Sequence, residues 1–179
     1  QDQVPNFSFA QVEETIREEL GSKFNEIDQI ICDPVGSASL AQVHRATLKD
    51  GKKVVFKVQR PNLKELFIID LGIMQQIAGL LQKNKNWSRG RNWVEIAKEC
   101  RKVLMKELDF NCEAQYAARF RQQFLDDENV EVPEVIWDMS SEKVLCLSYL
   151  EGTKISDLEK LQSQEIDLPK IAEIGAISY

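Results

Sequence analysis

The stretch Pro34-Val-Gly-Ser-Ala-Ser-Leu-Ala-Gln-Val-His-Arg-Ala-Thr-Leu-Lys-Asp-Gly-Lys-Lys-Val-Val-Phe-Lys-Val-Gln-Arg-Pro61 decides the fold. It reads as a strand, a small-residue loop, a second strand, a tight turn and a third strand. Gly36, Ser37, Ala38, Ser39 and Ala41 carry little or no side chain, so a ligand can approach the backbone closely there. Gln42 to Leu48 forms the strand that follows. Asp50-Gly51 is a hairpin signal for a type I′ turn, which needs positive φ at both central residues. Val54, Val55, Phe56 and Val58 make a buried run interrupted by one lysine, Lys57. A charge inside an apolar strand is costly without a partner, so Lys57 is the first pointer to function.

The same stretch keeps the protein-kinase register. The Gly-x-Gly-x-x-Gly-x-Val loop falls on Gly36, Ala38, Ala41 and Val43, and the Val-Ala-Ile-Lys strand on Val54, Val55, Phe56 and Lys57. Alanine stands at the second and third glycine positions. With Ser37-Ala-Ser-Leu-Ala-Gln-Val-His44 and Lys57-Val-Gln-Arg-Pro61, the chain resembles the UbiB-type (AarF-domain) atypical kinase-like family, whose nucleotide loop is alanine-rich. The resemblance implies that Lys57 holds the phosphates of ATP or ADP. It also implies that Gly36, Ser37, Ala38, Ser39, Ala41, Val43 and Val55 line the nucleotide.

Composition agrees with a single domain. The chain has 179 residues, 43% hydrophobic and 29% charged, with a net charge of −6. That balance argues against general nucleic-acid binding, which needs a basic surplus. No apolar run reaches the length of a membrane span. The opening Gln1-Asp-Gln-Val-Pro5 has no signal-peptide character, and Gln1 is no initiator, which implies residues before it. Cys32, Cys100, Cys112 and Cys146 lack zinc spacing and read as free buried thiols of a reducing compartment, whether bacterial cytoplasm, plastid or mitochondrion. His44, the sole histidine, has no Ser or Cys arrangement for a triad.

Taken in order, Ser8-Phe-Ala-Gln11 starts a helix with a capping box and Gly21 stops it. Ile27, Ile30 and Ile31 lead into the first strand. Pro61 opens a helix over 63–82 with apolar Leu66, Ile69, Ile73, Ile77 and Leu80. Lys83 to Arg91 is a basic loop with one Trp, read as an exposed linker in preference to a membrane contact. Asn92 caps a helix whose pattern restarts or continues as far as Phe124. Val132–Trp137 and Lys143–Tyr149 read as two more strands. Ser156 caps a short helix, and Pro169 opens a last one with Ile171, Ile174 and Ile177, running to Tyr179.

Three acids sit in Lys106-Glu-Leu-Asp-Phe-Asn-Cys-Glu-Ala114. Spacing alone permits a solvated helix face, with Asp109 and Glu113 one turn apart. By the resemblance, Glu113 is the helix-C glutamate that pairs with Lys57. Glu107 and Asp109 form the family's Glu-x-Asp motif, contacting a Lys-x-Gly-Gln extension that precedes Gln1. Tyr149, Leu150, Glu151 and Gly152 resemble a kinase hinge, with Gly152 letting the chain turn. No His-x-Asp loop or Asp-Phe-Gly follows, so metal ligands are absent and Mg2+ is expected only with a C-lobe.

The expected fold is α+β, a kinase-like N-lobe spanning 1–179. It is a five-stranded antiparallel sheet with helices packed on one side and extra helices before helix C. The resemblance implies the ATP-binding lobe of an atypical phosphotransferase or ATPase supporting isoprenoid quinone biosynthesis, with peripheral membrane or lipid-enzyme contact and no activity of the fragment alone. The alternative is a non-catalytic, pseudokinase-like scaffold that regulates membrane lipid enzymes by binding.

Overall fold

The computed structural model describes residues 5–84, 86–164 and 166–177. Gln1, which the expected extension precedes, and Tyr179 lie outside the described residues.

Helix α1, Phe9–Leu20, starts at the expected capping box, in which the Ser8 side chain accepts from the Gln11 backbone and Gln11 returns the bond. It ends at Gly21, whose φ of 53° favours glycine. Strands β1 (Ile27–Ile30), β2 (Gly36–Ser37), β3 (Ala41–Leu48), β4 (Lys53–Gln59) and β5 (Val144–Ser148) form one antiparallel sheet in the order β1-β3-β4-β5, with β2 also on β3.

The five strands are not quite those the periodicity picks out. The small-residue stretch contributes β2, with Gly36 opposite Val43 and Ser37 opposite Gln42. Val132–Trp137 is no strand. It makes a single bridge, Val135 to Leu147, and then winds into a 3-10 turn at Trp137–Met139. Pro133 has no N–H to give a ladder, which keeps the pairing short.

The β3–β4 turn also differs in type. The Gly51 N–H donates to Leu48 O at 2.8 Å and the Leu48 N–H to Lys52 O at 3.0 Å. Gly51 has φ of 87° while Asp50 does not enter the left-handed region. This is a type I turn closed by a glycine bulge, not a type I′ turn. Asp50 is favoured because its carboxylate accepts the Lys52 N–H at 2.9 Å.

Helices cover both faces of the sheet, not one, because each face carries its own cluster of buried apolar side chains. On one face Val12, Ile16 and Leu20 of α1 pack on Ala46, Leu48, Val54, Phe56, Val58 and Cys146. On the other, Ala41 and Leu145 meet Phe110 and Ala114 of α4, Phe110–Gln123. Between β4 and α4 the chain makes a detour of two mutually packed helices, α2 (Leu63–Lys83) and α3 (Trp93–Glu107). Pro61 does not open α2. Asn62 stands in between with φ of 58°, a conformation asparagine tolerates. The stripe Leu66, Ile69, Ile73, Ile77 and Leu80 lies exposed, while Leu71 and Ala78 are the buried residues of the helix. Helices α5 (Leu158–Ser163) and α6 (Leu168–Ile177) end the described chain, and Asp157, not Ser156, caps α5.

Among the thiols only Cys146 is buried. Cys32 and Cys100 are exposed and Cys112 is half-buried, so the expectation of four buried thiols does not hold.

Candidate functional site

The site is built on the sheet face opposite α1. Register places Val43, Lys57 and Leu145 in one row across β3, β4 and β5, and Arg45, Val55 and Leu147 in the next. Strand alternation therefore sends Lys57 to the α4 side, while its neighbours Phe56 and Val58 enter the α1 core.

Lys57 meets α4 there. Its Nζ donates to both carboxylate oxygens of Glu113, at 2.7 and 2.6 Å, and sits 4.9 Å from the Phe110 ring. The side chains keep 29% and 46% of their exposure, so the pair is screened by water on one side. Several contacts hold Glu113 in place. Phe110 and Ala114 anchor α4 under the sheet, the Phe110 N–H donates to Glu142 O at 2.9 Å, and the Asp109 carboxylate caps the helix by accepting the Asn111 N–H.

Asp109 is therefore a cap in extended conformation and does not share a helical face with Glu113. Leu108 and Asp109 break the helical pattern. Glu107, Asp109 and Glu113 nevertheless line one cavity of about 330 Å³ with Lys106, Cys112 and Tyr116.

The small-residue loop is the hairpin between β2 and β3. The Val35 N–H donates to Val43 O at 2.7 Å and the Ala38 N–H to Ala41 O at 2.8 Å, leaving Ser39 and Leu40 at the tip. Gly36 has room for a side chain: an added Cβ would meet nothing within 4 Å. Two residues missed by the sequence reading hold this region. Buried Gln59 donates through Nε2 to Leu108 O at 2.7 Å. Arg60 donates to Ala38 O from Nε at 3.1 Å and from Nη2 at 3.0 Å, and to Ser37 Oγ at 3.3 Å. Gln59 is marked only by its burial in the structure, where an amide needs a partner. No periodicity marks Arg60.

The Tyr149–Gly152 segment follows β5 outside any helix or strand. The Tyr149 N–H donates to Lys53 O at 3.0 Å, Arg45 lies 5.7 Å from the Tyr149 ring, and Glu151 pairs with Lys53 at 3.0 Å. Leu150 lines a neighbouring cavity with Lys52 and Glu134. There Lys52, by hydrogen bond and charge, holds the Glu134 carboxyl below its usual range. Gly152 does not adopt positive φ, so this turn does not require glycine. His44 faces the α1 core, its Nδ1 2.9 Å from Ile31 O, away from the site.

A family model for the ABC1 atypical kinase-like domain matches residues 1–179. The chain belongs to this family. The ABC1-type relatives include the Arabidopsis thaliana protein ACTIVITY OF BC1 COMPLEX KINASE 8, chloroplastic, 42% identical over 182 residues, covering all of this chain and 24% of the relative. A Pseudomonas putida protein named as a probable protein kinase UbiB is 38% identical over 176 residues, covering 98% of this chain and 33% of the relative. A solved Mycobacterium tuberculosis structure, a complex with erythromycin, superposes with a TM-score of 0.73 at 29% identity, over 87% of this chain and 39% of that one. The chain thus spans about a quarter to a third of the length of these curated relatives. Among the described residues no helix is long and apolar enough to cross a membrane.

Proposed function

We propose that this chain forms the nucleotide-binding lobe of an ABC1-type phosphotransferase or ATPase that serves isoprenoid quinone biosynthesis. The observation that carries the reading is the Lys57–Glu113 pair, on the same sheet face as Val43 and Val55 and beside the small-residue hairpin. A half-exposed ammonium already held by one carboxylate keeps donor capacity for an anion, and its position is fixed before the anion arrives. The open space at Gly36 and the short side chains of Ser37, Ala38, Ser39 and Ala41 suit a phosphate chain against the backbone. Val43, Val55 and the Tyr149–Gly152 segment then frame the base of ATP or ADP. When bound, the nucleotide supplies the transferable phosphoryl group, and this chain's part is to bind and orient it.

The residues that complete phosphoryl transfer belong to a lower lobe, and Mg2+ with them. Glu107 and Asp109 line the cavity that would receive the family's N-terminal extension. The basic 83–91 loop, with Trp87 well exposed, supports a peripheral lipid contact.

Calorimetric titration of ADP and ATP into the full-length protein tests the reading. Wild type is expected to bind, and Lys57→Met to weaken binding by about tenfold or more through loss of a charge-assisted contact. A folded wild-type protein that binds neither nucleotide overturns it.

A further inference from the structure

We infer that Arg60 is a positioning residue for the nucleotide phosphates: it orients the Ala38–Ser39 peptide so that the Ser39 N–H faces the phosphate side of the hairpin. The inference rests on the nucleotide reading above and adds to it a residue on the far side of the loop.

Arg60 touches the hairpin at three residues. Its backbone N–H donates to Leu40 O at 2.9 Å, its guanidinium donates twice to Ala38 O, and Nη2 also reaches Ser37 Oγ. Alternation along the end of β4 sets the direction of approach. Gln59 points to the α4 side, where it bonds Leu108 O, so Arg60 rises on the α1 side. There its guanidinium lies 5.6 Å from the Phe7 ring and lines a cavity with Gln11, Glu14 and Thr15 of α1. Lys57, Val43 and Val55 occupy the opposite face.

A trans peptide directs its carbonyl and the following N–H to opposite sides. With the Ala38 carbonyl held toward Arg60, the Ser39 N–H turns toward the Lys57 face. A positive charge on the carbonyl end also polarises that peptide and makes its N–H a better donor to an anion. The protein-kinase pattern calls for glycine at the position of Ala38, where the peptide would otherwise flip freely. Alanine narrows the backbone choices, and Arg60 selects among those that remain. No acidic side chain is paired with Arg60 among the ion pairs of the described residues, so its donors serve the loop.

The test compares ADP with adenosine in the full-length protein. Arg60→Ala is expected to weaken ADP by about tenfold, the worth of one good charge-assisted hydrogen bond, and adenosine by less than about twofold. Arg60→Lys, which keeps the charge but loses the two-pronged donor, is expected to weaken ADP by about threefold with adenosine unchanged. Should Arg60→Ala fail to fold, Arg60→Lys carries the comparison alone. Equal losses for ADP and adenosine would mean a purely structural role and overturn the inference, as would no loss in ADP affinity. Wild type binding neither ligand would instead remove the nucleotide reading on which it rests.

Discussion

Removing either partner of the Lys57–Glu113 pair should destabilise the domain modestly, and the two losses should not add. Exposed ion pairs contribute about 0.2–1 kcal/mol, whereas breaking a buried one costs about 3–5 kcal/mol. This pair lies between those limits, with side-chain exposures of 29% and 46%, but it uses both carboxylate oxygens at 2.6–2.7 Å. A coupling energy of about 1–2 kcal/mol follows. Lys57→Met also loses the Phe110 ring contact, worth about 0.5 kcal/mol, but that loss appears in the single and the double variant alike and cancels from the cycle. For a chain of this size Glu113→Gln should lower the melting temperature by about 3–6 °C. The assay is chemical denaturation of wild type, Lys57→Met, Glu113→Gln and the double variant, repeated with Glu107→Gln in place of Glu113→Gln. The second cycle should close to within about 0.5 kcal/mol. Coupling of Lys57 to Glu107, with none to Glu113, would refute the placement of α4 under the sheet.

Asp50→Pro should cost about 1–3 kcal/mol, because proline at the third position of a type I turn displaces its predecessor and the Lys52 N–H loses its acceptor, while exposed Lys49→Ala should stay within about 0.5 kcal/mol; equal thermal melts would mean the hairpin is misdrawn. Burial pushes the Cys146 thiol up to about 12 from 9.0, so the unfolded chain releases this proton first as pH rises. Its contribution to stability is complete below pH 9 and is lost progressively between pH 9 and about 12. Alkylation near neutral pH with mass-spectrometric readout should label exposed Cys32 and Cys100 and spare Cys146, and equal labelling would contradict its burial. The chain alone should release no phosphate from ATP above background, and turnover that survives further purification would end that expectation.

The readable parts of this fold are those where one local rule acts alone. The capping box at Ser8 and Gln11, the two strands flanking Asp50-Gly51, and the lone charge of Lys57 all lie in contiguous sequence. What stayed hidden depends on choices made at a distance. Gly36–Ser37 counts as a strand only because β3 has a free edge beside the end of β1. Val132–Trp137 has strand composition but loses its ladder to Pro133. Leu66, Ile69, Ile73, Ile77 and Leu80 have core periodicity, yet the face that packs on α3 is another one, marked by Leu71 and Ala78. For the candidate site, Lys57 and Glu113 were legible through the family's spacing. Gln59 and Arg60 were not, because their work is to bond backbone carbonyls, and a carbonyl has no letter in the sequence.

The hydrogen bond from Gln59 to Leu108 joins residues 49 positions apart, and what lies between them is mostly the α2–α3 detour. The detour leaves the sheet and returns to it at one stitched neck, with Lys64 tied to Glu142 on the outgoing side and Phe110 on the incoming side bonded to the same residue's carbonyl. The spacing between Lys57 and Glu113 is therefore set at the neck and does not depend on the length of what hangs from it. Loop-closure entropy grows only slowly with length, so such an appendage can lengthen, shorten or change its surface at little cost to the sheet. In engineering terms residues 66–107 are a cassette: a short linker joining the two sides of the neck should leave the Lys57–Glu113 geometry intact, whereas one residue added or removed in β4 between the hairpin turn and Lys57 would turn Lys57 into the apolar core beneath α1.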